Sequence, residues 1–184
     1  FDGMDGDLSV FIKPLNELRA KQGIFFVTGN HETYLGINEA LRVLKQTNIK
    51  ILNNEIVDLN GLQIIGLAYP GTNDSASITG KINDGGALID SLNIDKTKPA
   101  ILMYHAPTNI EQAKNNGINL QLSGHAHKGQ IWPFEFFTWL VYGKYEYGLN
   151  TLGDFSIYTT SGVGTWGPPM RTTGTPEIPV FKLN

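Results

Sequence analysis

The sequence predicts an α/β layered sandwich, and three observations carry that reading. Helix-spaced and strand-like apolar patterns alternate along the chain. Continuous apolar runs such as Ile24-Phe25-Phe26-Val27 mark strands buried on both faces. Asn60-Gly61, set between two apolar segments, is a strong local signal for a tight hairpin.

Taken in order, residues 8 to 22 place Leu8, Phe11, Leu15 and Leu18 at helical spacing, with Pro14 early and Gly23 as the stop. Ile24 to Val27 is a strand, and Ile37 to Thr47 returns to helical spacing through Ile37, Ala40, Leu41 and Leu44. Ile49 to Leu59 and Leu62 to Ala68 form the hairpin around Asn60-Gly61. Residues 85 to 92 suit a short helix, Ala100 to Tyr104 a buried strand, Ile110 to Asn115 a helix stopped by Gly117, and Ile118 to Leu122 a strand. Pro133 to Tyr142 suits a helix, and Lys144–Leu149 with Phe155–Thr160 a second hairpin. A tail rich in Gly, Pro and Thr follows.

Composition narrows the function classes. At 184 residues the chain has the size of one domain. A net charge of −3 with no Lys/Arg run argues against nucleic-acid-specific binding. Cysteine is absent, which removes disulfides and thiolate metal sites from consideration. No apolar stretch approaches the roughly 18 residues of a membrane span. The start at Phe1-Asp2-Gly3, without an initiator methionine, leads us to expect a single domain, 1–184, truncated at its N-terminus. An upstream anchor is compatible with that expectation, and with it a membrane-associated location.

All four histidines fall in three short motifs: Gly29-Asn30-His31-Glu32, Tyr104-His105-Ala106-Pro107 and Gly124-His125-Ala126-His127. Each motif follows an apolar run that reads as a strand. In open α/β sheets ligands bind beyond the carboxyl ends of strands, so three such loops can converge on one polar site. Gly29 and Gly124 suit tight turns close to a ligand. His125 and His127 are an i, i+2 pair that in a turn can address two neighbouring metals. Imidazole nitrogen with amide oxygen suits Mn, Fe or Zn rather than calcium.

Taken singly, each residue has a plainer reading. His105 alone is a satisfied polar side chain, Asn30 a cap or turn residue, and Glu32 a first-turn carboxylate favoured by the helix dipole. The His-Ala-His pair alone divides evenly between a metal site and a surface turn. Their order and shared strand context make the joint reading the stronger one.

With these motifs the chain resembles the calcineurin-like metallophosphoesterases. The family pattern runs Asp-x-His, Gly-Asp-x-x-Asp, Gly-Asn-His-Glu/Asp, a lone His, then Gly-His-x-His. The last three stand here in order. The tail Gly162-Val163-Gly164-Thr165-Trp166-Gly167-Pro168-Pro169 is similar to a bacterial subgroup of phosphohydrolases, often membrane-anchored. In that subgroup the final motif continues Gly-Gly-Gln. Here it reads Lys128-Gly129-Gln130, so a lysine stands beside the site, there either to add phosphate affinity or to point to solvent.

The resemblance implies the C-terminal part of a four-layer α/β/β/α sandwich. It implies a metal-dependent phosphoester hydrolase (a phosphomonoesterase, phosphodiesterase or pyrophosphatase) using two divalent ions, Mn, Fe or Zn, and a metal-activated hydroxide. Asn30, His105 and His125 would bind one metal and His127 the other. His31 would be the general acid, with Asp2 the carboxylate that orients it. Arg171 is a candidate phosphate contact, set against a loop-bracing role.

The Asp-x-His motif and the bridging aspartate of the family have no counterpart in this chain. Four neutral ligands remain, so the 184 residues alone are expected to bind metal weakly and to be inactive. The first strands of the family's sheet are missing with those motifs. That predicts an uncovered strand edge open to self-association. The aromatic segment Trp132 to Tyr142 reads either as a packed core helix or as an apolar wall for a lipid-linked substrate or a membrane surface. The rival to an enzyme is a non-catalytic interaction module on the same fold. Retention of His31 and of the His125/His127 pair favours the enzyme.

Overall fold

The computed structural model describes residues 7–34, 36–70 and 84–183. A 3-10 turn over Leu8–Phe11 opens the described chain, its Ser9 amide held by the Asp7 carboxylate at 2.9 Å. Helix α1 (Ile12–Glu17) continues it but stops well before Gly23. Leu18 is extended and half exposed, so a helix carried on through it would bury little further apolar surface. Strand β1 (Ile24–Phe26), α2 (Asn30–Tyr34), α3 (Ile37–Leu44) and β2 (Ile49–Ile51) form a parallel crossover, with β1 and β2 paired from Ile24↔Ile49 to Phe26↔Ile51.

The long strand expected over Ile49 to Leu59 is two strands in different sheets. After β2 the chain turns at Asn54, whose φ of 58° is left-handed, and re-emerges as β3 (Glu55–Leu59). The Asn54 side chain accepts the Ala68 amide at 3.0 Å, pinning the crossing point between the two sheets. The Asn60-Gly61 turn stands as expected. Both residues have positive φ, 55° and 95°, the signature of a type I′ turn, and β3 pairs antiparallel with β4 (Leu62–Gly66).

The remaining elements are α4 (Asp84–Ser91), β5 (Ala100–Met103), α5 (Ile110–Asn115), β6 (Leu120–Ser123), α6 (Phe134–Tyr142), β7 (Gly148–Leu152) and β8 (Phe155–Thr159). The last hairpin starts at Gly148 rather than Lys144. Residues Gly143–Glu146 form a 3-10 turn instead, between two glycines of positive φ at 143 and 148.

The larger sheet has the order β3-β4-β5-β6-β8-β7; β4, β5, β6 and β8 run parallel and the two outer strands antiparallel. Its main core joins Ile65, Leu102, Tyr104, Phe155 and Ile157 of the sheet region to Ile89 of α4 and Ala113 of α5. A smaller cluster packs Leu8 against Ala40 and Val43 of α3. The fold is thus α/β, with helices, a two-stranded sheet, a six-stranded sheet and further helices in succession.

The two sheets approach closely at one point. A Cβ built on Gly66 would overlap the Cβ of Leu52, which itself is wholly buried. Gly66→Ala is therefore expected to cost about 1–3 kcal/mol by overpacking. A lowered urea midpoint with an unchanged slope would show it; a midpoint equal to that of the natural chain would refute the packing argument.

Candidate metal centre

The three strand ends do converge. Asn30 opens α2 just after β1, His105 follows β5, and His125 follows β6. His105 Nε2 lies 2.8 Å and His125 Nδ1 3.2 Å from the same atom, Oδ1 of Asn30, and the two imidazole rings meet edge to face at 5.0 Å. Asn30 is therefore not spent on capping its helix. That task falls to Glu32, which is buried and takes the Gly29 amide at 2.6 Å. This is the reach-back half of a capping box, and it fixes the turn that aims Asn30 across the cleft.

Gly29 is required for a different reason than a tight turn. A Cβ there would stand 2.8 Å from the His105 ring, so the glycine lets that ring pack against the backbone. Gly124 carries no such demand: a Cβ would meet only Thr160 at an ordinary 3.7 Å.

His105 is also held from below. The backbone binds β6 on both sides of it, Tyr104 N to Leu122 O and Gly124 N to His105 O at 2.9 Å. Buried Gln121 donates to Thr108 O at 3.1 Å and fixes the loop that follows.

Burial, and after it the charges of His125, His127 and His31, pull the His105 ring down to about 3. Burial with the charges of His127 and His31 pulls His125 to about 4. Two conclusions follow. All four histidines share one electrostatic neighbourhood, and the two buried rings are neutral near pH 7, the form in which imidazole binds metal.

The donor set, two neutral imidazoles and an amide oxygen, fits a borderline divalent cation. It remains partial: among the described residues no three His, Asp, Glu or Cys side chains close on a common point. Asp2 lies outside the described residues.

The Gly-His-Ala-His loop is held in an uncommon shape. His125, His127, Lys128 and Gln130 all have positive φ, between 50° and 69°. For L-residues that region costs about 1–2 kcal/mol each. The tail holds the loop there. Gln130 is wholly buried, its side chain donating to Trp166 O at 2.7 Å and accepting the Trp166 amide at 2.8 Å. Its own carbonyl accepts the Thr172 and Thr173 amides. Arg171 donates to the carbonyls of His127 (2.8 Å), Ser161 (3.0 Å) and Gly164 (2.7 Å).

Of the two roles set out for Arg171, this arrangement is the loop brace: Nη1 and Nη2 both donate to main-chain oxygens. Lys128 is likewise turned away, its ammonium 4.7 Å above the Tyr147 ring. Glu177 anchors the far end of the tail through Thr160, Tyr147, Tyr158 and the Ser161 amide.

Two aromatic neighbours escaped the motif reading. Tyr69, after β4, lies 5.6 Å from the His105 ring and 5.9 Å from His125, and its amide is tied to Thr28 at 3.0 Å. Tyr142, at the end of α6, meets His125 edge-on at 6.0 Å. Tyr69 follows a strand as the histidines do, so the same strand-end rule could have found it. Tyr142 carries no such signal.

The calcineurin-like phosphoesterase family model matches residues 1–129. The chain belongs to this family. An uncharacterised metallophosphoesterase of Campylobacter jejuni is 37% identical over 96% of this chain and 46% of its own length. One from Aquifex aeolicus is 32% identical over 99% of this chain and 69% of its own. A cattle protein named as a transmembrane protein with a metallophosphoesterase domain is 31% identical over 96% of this chain and 43% of its own. No solved structure matches. The chain thus spans about half the length of the Campylobacter relative. Among the described residues no helix is long and apolar enough to cross a membrane.

Two outcomes are expected from this geometry. Arg171→Ala removes three braces and should cost about 1–3 kcal/mol. It should also accelerate amide exchange over residues 125–130, and unchanged exchange there would refute the bracing role. Second, His105 and His125 have folded pKa values below the ordinary 6.5, so the unfolded chain binds more protons. Their contribution is complete above pH 6.5 and is lost as pH falls toward 3 to 4, by up to about 1.4 kcal/mol per pH unit for each ring. Thermal melts of the metal-free protein between pH 7.5 and 5 should show the decline, and His105→Gln should flatten it.

Proposed function

We propose that the whole protein is a phosphoester hydrolase using two divalent metals, and that the described cluster holds part of that centre. The observation that carries this reading is the convergence of His105 Nε2 and His125 Nδ1 on Asn30 Oδ1, at the ends of three strands. Asn30, His105 and His125 would hold one metal and His127 the second. When bound, the metals supply Lewis acidity toward phosphoryl oxygen and acidify water.

The chain's own residues do the rest. Burial keeps the two ligand rings neutral, the Tyr69 and Tyr142 rings crowd water from His125, and the braced loop fixes the spacing of His125 and His127. His31 gives its proton to the leaving oxygen, with Asp2 orienting it. Retention of His31 beside a neutral, buried donor set favours this over a non-catalytic interaction module, which would not need an acid there.

The four retained ligands carry no negative charge. The 184 residues alone should therefore bind Mn weakly and turn over nothing, while the whole protein hydrolyses bis(p-nitrophenyl) phosphate with Mn, Fe or Zn. In the whole protein His31→Asn should lower kcat by about 10²–10⁴ on esters with poor leaving groups, and less on nitrophenyl esters. Elemental analysis finding two tightly bound metals in the 184-residue chain, together with turnover, would overturn the partial-site reading. An inactive whole protein would overturn the enzyme.

A further inference from the structure

Helix α6 directly follows the Gly-His-Ala-His loop and is apolar almost throughout, yet no residue of it is buried. Phe136, Phe137, Trp139, Leu140 and Val141 are each more than half exposed. A contiguous apolar surface of this kind marks a contact with something apolar. Beside the helix lies an open pocket of about 230 Å³ lined by His125, Phe134, Phe137, Thr138, Tyr142 and Trp166, among others. None of the residues lining it is an acid, lysine or arginine. Phe134 meets Trp166 edge-on at 6.3 Å and Phe137 at a tilt at 6.1 Å, so the walls are largely aromatic. Thr138, the polar residue of the helix there, is committed to Glu135 O and the Glu146 carboxylate.

His125 belongs to both places. One side of its ring faces Asn30 and His105, and Tyr142 and the cavity adjoin it. Building on the function proposed above, we infer that this cavity is the subsite for the uncharged alkyl or acyl chain of an amphiphilic phosphoester. The phosphate sits at the histidine cluster, and its substituent has an aromatic-walled channel beside it. The pocket has room for part of an alkyl chain. The remainder of a longer chain lies along the exposed face of α6. A soluble, charged substituent would find no partner on these walls, which is what sets the substrate class.

The experiment compares p-nitrophenyl octyl phosphate with p-nitrophenyl methyl phosphate on the whole, Mn-loaded protein, both as monomers. Alongside it, octylphosphonate and methylphosphonate binding is followed by Trp166 fluorescence. Each methylene buried is worth about fourfold in affinity. The octyl compounds should accordingly be favoured at least about tenfold in kcat/KM and in Kd, and Phe137→Ser or Phe134→Ser should bring both ratios toward one. Equal kcat/KM for the two esters with equal binding of the two phosphonates overturns the subsite and leaves the hydrolase standing. Octylphosphonate preference without hydrolysis of either ester supports the subsite and overturns the hydrolase. An octyl preference untouched by both substitutions also overturns the subsite.

Discussion

One amide oxygen organises this molecule. Oδ1 of Asn30 receives nitrogens from two imidazoles that sit on loops from different strands, and Asn30 itself comes from the other sheet. For that oxygen to sit where it does, β1 must end beside β5 and β6, and the two sheets must press together as closely as the Gly66–Leu52 contact shows. The Glu32 carboxylate must also turn back onto Gly29 rather than face the cleft. Three local choices, a small residue in β4, a carboxylate at the third helical position and a glycine under the His105 ring, serve one convergence.

The loop bearing His125 and His127 shows how strain is met by distant residues. Of the four non-glycine residues of positive φ, His127, Lys128 and Gln130 are held by hydrogen bonds with residues 161–173, which look like a structureless Gly/Pro/Thr tail. Such strain persists only where surrounding contacts over-determine it, and Gln130 with Arg171 supplies that over-determination. The tail is therefore part of the site's architecture, although none of its described side chains belongs to the histidine cluster.

Much of this was legible in the sequence because the signals were local. Apolar runs located β1, β5 and β6, the Asn60-Gly61 pair located its hairpin, and the strand-end motifs located the histidines. What escaped was set by tertiary context. Asn54 splits one apparent strand between two sheets, which no periodicity reveals. The helix after Phe11 ends early because Leu18 has nothing to bury against. Arg171 is open to reading as a brace or as an anion contact in the sequence, and only the fold shows which carbonyls, those of His127, Ser161 and Gly164, it braces. The aromatic run from Trp132 to Tyr142 reads either as core or as an apolar wall, since pattern alone cannot tell a buried helix from an exposed apolar one; the fold leaves it exposed.

Charge governs how a cluster of this kind can be buried and what it can offer a metal. Burying ionised groups is expensive, whereas neutral imidazoles and an amide can be desolvated together and satisfy one another, as the shared Asn30 oxygen shows. The same neutrality limits what they do to a dication. Nothing among Asn30, His105, His125 and His127 offsets its charge, and two dications at close range repel strongly in a medium of low dielectric. Anionic ligands must therefore come from elsewhere if two metals are to be held. On the proposed function, the histidine cluster would supply geometry and softness of ligand, and any carboxylates that joined it would supply most of the affinity.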